Sequence, residues 1–181
     1  PIARSLRAMR FIHHSDEERG SRLQWVMSRL ADAPEQWTGI VNAIAGAAGL
    51  GIVGLELEER EVPKEVLDLL RRFPWSEDED AEVPAEVLKE LQRHLVLHHR
   101  GADGEEYRLA IGQESQGTLT WLATVGPAID ALRLGQILCI DELDASLHPT
   151  LTATLVDMFK DPDLNARGAQ IVFTTHDTAL L

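Results

Sequence analysis

The sequence predicts an α/β protein: a parallel sheet with helical crossovers, plus a helical N-terminal region and a β-hairpin. Three observations carry this. The last third alternates helix-period and short apolar segments, with strands expected at Gln136 to Ile140 and Gln170 to Thr174. Helices between consecutive strands imply parallel strands joined by crossovers. Both strands end in polar groups, Asp141-Glu142 and Thr175-His176, where α/β proteins place ligand chemistry. Upstream, His94 to His99 and Glu106 to Ile111 alternate about the turn Gly101-Ala102-Asp103-Gly104, as a hairpin does.

The N-terminal third is expected to be mainly helical. Leu23, Val26, Met27 and Leu30 recur at helical spacing, as do Trp37, Ile40, Val41, Ile44 and Ala48. Gly49 and Gly51 stop the second helix. Gly51 to Leu57 follows as a strand, with Val53, Leu55 and Leu57 on one face. Pro63 and Pro84 each open a short helix. Val66, Leu69, Leu70 and Phe73 line the first, and Val87, Leu88 and Leu91 the second. Between them, residues 74–83 are acidic and aperiodic, a linker. After the hairpin, Leu122, Val125, Ile129 and Leu132 form a helical stripe, which Pro127 should kink or split. A last helix opens at Pro149 and packs through Leu151, Leu155, Met158 and Phe159. Two segments result: 1–93, mainly helical, and 94–181, with the alternating strands.

The 181 residues suffice for one domain with a core. No apolar run approaches the roughly 20 residues of a membrane span, and the first residues lack a signal peptide's apolar core. The single cysteine, Cys139, is expected in the core; with no second cysteine, a reducing, cytoplasmic location is expected. Net charge is −13, which does not support nucleic acid as a partner. The acidic runs Glu56 to Glu61 and Glu77 to Glu82 are expected to be solvated.

The strand-end residues suit triphosphate hydrolysis. That reaction needs a carboxylate for Mg²⁺, a group that orients or deprotonates water, and donors for the γ-phosphate. Asp141 and Glu142, adjacent at a strand end, can divide the first two roles. His176 can reach the γ-phosphate from the neighbouring strand. Ser115 and Gly117 precede a helix, where backbone N–H groups and a hydroxyl favour an anion.

In order, these segments resemble the C-terminal half of an ABC-type ATPase head, a partial P-loop NTPase. Glu114-Ser115-Gln116-Gly117-Thr118 resembles the signature motif, and Ile137 to Glu142 resembles Walker B with its catalytic glutamate. Ser146-Leu147-His148-Pro149 lies where such heads carry the D-loop, and Thr175-His176 resembles the switch histidine. Asp141 to Pro149 and Phe173 to Asp177 are similar to AAA-family ATPases related to the overcoming-lysogenization-defect (OLD) proteins. The resemblance covers about residues 105 to 181.

It implies ATP and Mg²⁺ as ligands, with Glu142 and His176 catalytic and Asp141 on the metal, directly or through water. Ser115, Gly117 and His148 would contact nucleotide, the signature turn in trans. A second head is the implied partner, in an ATP-gated dimer, along with a nuclease or toxin effector in phage defence. No Gly-x-x-x-x-Gly-Lys-Ser/Thr occurs in the sequence. The chain is therefore expected to be a piece of a longer protein with that loop upstream, and inactive alone.

Two other functions compete: a nucleotide-sensing scaffold for an effector with little hydrolysis, and a metal-dependent phosphoesterase using Asp141, Glu142, His148, His176 and Asp177. Asp144 is expected to cap the helix at Pro149. His94 and His98 share a strand face about 13 Å apart, too far to share a metal. The tryptophans are expected to pack, and Trp75, in the linker, is the one placed to meet a partner.

Overall fold

A computed structural model describes residues 9–13, 15–47, 49–73, 75, 82–145 and 147–178. In chain order the elements are β1 (Met9–Ile12), α1 (Asp16–Asp32), α2 (Pro34–Ala47), β2 (Ile52–Glu59), α3 (Lys64–Leu70), α4 (Ala85–Gln92), β3 (Arg93–Arg100) and β4 (Glu106–Ala110). A 3-10 turn (Ile111–Gln113), α5 (Gln116–Leu134), β5 (Ile137–Ile140), α6 (Pro149–Lys160) and β6 (Gln170–Phe173) complete the chain. Most of the acidic linker, residues 74 and 76–81, lies outside the described residues, as do Ser146 and Ala48.

The strands form two sheets, β1-β5-β6 and β2-β3-β4. The first is wholly parallel, as the crossovers required, with β5 central. The second is antiparallel and contains the expected hairpin. The segments 1–93 and 94–181 share both sheets, since β1 pairs with β5 and β2 with β3.

β1 adds a strand to the mainly helical reading of the N-terminal third, which placed none before Gly51. Four residues, one of them Arg10, are too few to show a period, and the partner strand is far off in sequence: Phe11 aligns with Cys139. Alternation along the parallel sheet turns Ile12, Leu138 and Ile140 into the core. It turns Phe11, Cys139 and Val172, aligned across all three strands, the other way. Cys139 is thus half-buried in an outer row, with Phe11 and Val172 mostly exposed, and is not the core residue expected.

α5 is the centre of the core. Every residue from Thr120 to Leu132 is buried, so the stripe read from sequence is only part of an all-round apolar surface. Nor does Pro127 split the helix. A residue before proline is pushed from the helical region by clash of its own Cβ with the ring; Gly126 has none. A Cβ at Gly126 would lie 2.5 Å from Val26 Cγ2, so the same glycine lets α1 pack close against α5. Asp130, buried, lies 3.3 Å from Arg10 Nη2 and 3.8 Å from Arg29 Nη2. Both guanidiniums stack over Trp25, so a paired interior charge ties β1 and α1 to α5.

In β2 a bulge between Ile52 and Gly54 adds a residue. A bulge shifts the alternation by one, so Ile52 takes the buried place predicted for Val53, alongside Leu55. α3 and α4 form where Pro63 and Pro84 place them, but no residue of either is buried. Val66, Leu69, Phe73 and Leu91 are exposed rather than lining a core. Periodicity identifies a helix face; it does not supply the surface that would cover it. Trp75 donates from Nε1 to the Leu70 carbonyl at 2.7 Å. Trp37 and Trp121 are buried, as packing residues.

Candidate functional site at the ends of β5 and β6

Asp141 and Glu142 follow β5 directly, and Thr174, Thr175 and His176 follow β6. Because β5 and β6 are parallel neighbours in register from Ile137–Gln170 to Ile140–Phe173, both sets emerge at one edge of the sheet. Thr174 joins them. Its hydroxyl donates to Asp141 Oδ1 at 2.7 Å and accepts from the Glu142 N–H at 2.7 Å. Its carbonyl accepts from the Leu143 N–H at 2.9 Å.

This cross-strand clamp holds an unusual backbone. Glu142 has φ +49, the sole positive φ on a non-glycine residue among those described. For a non-glycine residue that region costs about 1–3 kcal/mol and persists only where neighbours over-determine it. The neighbours here are Thr174, the buried Leu143, and a turn closed by the Ala145 N–H to the Glu142 carbonyl at 2.8 Å. The result aims the Glu142 side chain into solvent beside His176. His176 Nε2 lies 3.9 Å from Glu142 Oε1, with the two side chains 85% and 59% exposed. That separation is too long for a direct hydrogen bond but lets both groups face one reacting water or phosphate oxygen.

Asp144 belongs to this group and does not cap the last helix. It accepts from the Thr175 hydroxyl and from the His176 N–H at 3.1 Å. Those donors, the Thr175 hydroxyl first, hold its carboxyl below the usual aspartate range. The cap of α6 is His148, whose Nδ1 accepts from the Thr150 N–H at 3.3 Å. Sequence reading gave Thr174 no role and Asp144 the wrong one. Both roles depend on β5 and β6 being neighbours, which no local pattern states.

Ser115 caps α5, its Oγ accepting from the Thr118 N–H at 3.1 Å. Only Gly135 and Gln136 separate α5 from β5, and the two elements pack together, so they run in opposite directions. A helix of 19 residues is ~28 Å long and a strand of four ~13 Å, using the rises per residue of each. The whole length of α5 therefore lies between the Ser115 turn and the link to β5. Among the described residues no hydrogen bond links the turn, with Gly117, to Asp141, Glu142 or His176.

No three His, Cys, Asp or Glu side chains form a metal cage among the described residues. An exposed Asp141 beside an exposed Glu142 suits Mg²⁺ all the same, since that ion takes one or two carboxylates and completes its shell with water and substrate phosphates. Among the described residues no helix is long and apolar enough to cross a membrane.

Parallel strands with helical crossovers fit a partial P-loop NTPase fold, and the family match makes this an AAA/P-loop ATPase-like domain. Residues 10–181 match the family described as "AAA domain, putative AbiEii toxin, Type IV TA system". The chain belongs to that family. No curated protein and no solved structure matches it.

Proposed function

We propose that this domain binds ATP with Mg²⁺ and hydrolyses it, through Asp141, Glu142 and His176. The strained backbone at Glu142, locked by Thr174, carries the reading. Strain that the fold spends hydrogen bonds to keep is characteristic of catalytic positions. Mg²⁺, when bound, supplies positive charge against the phosphate oxygens. Asp141, oriented by the Thr174 hydroxyl, would hold the ion directly or through water. Glu142 takes a proton from the attacking water, and His176 donates toward the γ-phosphate.

Ser115 and Gly117, at the far end of α5 from β5, would serve a second head's nucleotide, so ATP would join two heads and hydrolysis would release them. Ser115 and Gly117 would contact that nucleotide, as would His148, exposed just before α6. The run Asp141 to Pro149 favours the OLD-like branch of ABC-type ATPases, working with a nuclease or toxin effector in phage defence.

Replacing Glu142 with Gln in the intact protein tests the central claim. ATP binding should persist while turnover falls about 10²- to 10⁴-fold, the usual contribution of a general base. Undiminished turnover would remove Glu142 from the chemistry. If effector activity survives while turnover is lost, the domain acts as a nucleotide sensor for its effector.

A further inference from the structure

The Ser115 turn is anchored from the other sheet. His99 lies on β3, aligned with Tyr107 of β4 and Ile52 of β2. Its Nε2 stands 2.7 Å from Oε1 of Glu114, the residue immediately before the α5 cap. The Glu114 side chain is only 4% exposed and that of His99 20%. A carboxylate that deep in the protein must be paired or neutral, and His99 is its hydrogen-bond partner. Whichever atom holds the proton, the ring and the carboxyl keep one hydrogen bond between them. A negative Glu114 also lies at the positive end of the α5 dipole.

The neighbouring backbone is fixed as well. The Glu114 N–H donates to the Ile111 carbonyl at 3.2 Å, and Gln113 Oε1 accepts from the Ala110 N–H at 3.0 Å, closing the short turn between β4 and α5. What these local bonds do not supply is a tie to a different element. The His99–Glu114 pair is that tie, linking the middle strand of the antiparallel sheet to the residue next to Ser115.

We infer that His99, acting through Glu114, is a positioning residue that sets the Ser115–Gly117 turn. Its consequence for ATP rests on the function proposed above; its structural content does not. The pair gives the β2-β3-β4 sheet, which holds none of Asp141, Glu142 or His176, a direct hold on the nucleotide-facing turn.

Amide hydrogen exchange on the intact protein tests this. In His99→Ala, the hydrogen-bonded amides of Thr118 and Leu119, which donate to the Ser115 hydroxyl and carbonyl, should exchange about tenfold faster or more, because a buried carboxyl has lost its partner. The amides of β5 and β6 should be unchanged. His99→Gln, which retains a donor of similar reach, should restore the slow rate. Unchanged exchange at Thr118 and Leu119 in His99→Ala overturns the inference. So does acceleration spread equally to β5 and β6, or a failure of His99→Gln to restore the rate.

ATP turnover supplies a separate readout. His99→Ala should raise the ATP concentration for half-maximal turnover, and His99→Gln should return it. Ser115→Ala checks the underlying functional reading. If it leaves turnover and head association untouched, the nucleotide role of the turn fails while the exchange result still decides the positioning role.

Discussion

The two sheets handle polar groups in opposite ways. At the ends of β5 and β6, few groups are present and each is engaged across strands: Thr174 with Asp141 and Glu142, Asp144 with Thr175 and His176. On the outer face of β2-β3-β4, charges are plentiful and loosely shared. Arg108 reaches both Glu56 and Glu58, Arg60 also bonds Glu58, and His98 bonds Glu56 at 3.1 Å. The Arg60 hydrogen bond, more than any other contact, draws the Glu58 carboxyl below its usual range. Exposed pairs of this kind contribute little and are screened by salt. Polar density is therefore a poor guide to chemistry here, and backbone fixed by polar groups is a better one.

Four experiments sharpen or break that contrast. The largest effect on stability is expected from Thr174→Val. It removes the hydroxyl that orients Asp141 and holds the Glu142 N–H, so turnover should fall about 10- to 100-fold, as for groups that orient metal ligands. Stability should fall by about 1–2 kcal/mol in denaturant unfolding. Thr174→Ser should recover both, and a silent Thr174→Val would deny the clamp.

Glu142→Gly comes next. Glycine accepts φ near +49 without penalty, so the variant should be more stable by about 1 kcal/mol while losing turnover. Lower stability would mean that the Glu142 side chain holds the turn and that the backbone is not strained.

Arg108→Ala on the antiparallel face should change stability by less than about 0.5 kcal/mol and leave turnover alone. A larger loss would show that the charge network there is structural.

The smallest effect concerns acid. A folded carboxyl held below its unfolded value stabilises the protein at pH above the ordinary aspartate range. That contribution fades as pH falls through the lowered folded value. Asp144→Asn should therefore reduce the dependence of stability on pH only in that acidic window. An altered slope near neutrality would contradict the assignment.

The sequence showed where polar groups leave the parallel sheet, because apolar runs ending in Asp141-Glu142 and Thr175-His176 are local patterns. The hairpin was equally visible, since Gly101 to Gly104 separates two alternating runs. What stayed hidden depends on distant pairings. β1 is four residues long and finds its partner only at Ile137 to Ile140. Thr174 gains meaning from Asp141, and Glu114 from His99. The bulge in β2 escaped because alternation through Val53, Leu55 and Leu57 is equally good without it. The solvent exposure of Leu69 and Phe73 escaped because a periodic stripe says nothing about its cover.

The burial of α5 on every side has one more consequence. Each residue added to or removed from a helix rotates everything beyond it by about 100°. A helix with one wet face can tolerate some of that by rolling; α5 has no wet face along Thr120 to Leu132. Its far end is also locked, since a Cβ on Gly135 would meet the Arg167 carbonyl at 2.8 Å. The direction in which Ser115 points, relative to Asp141, is thus set by residue count and core shape together. α5 acts as a protractor for the domain as much as a spacer.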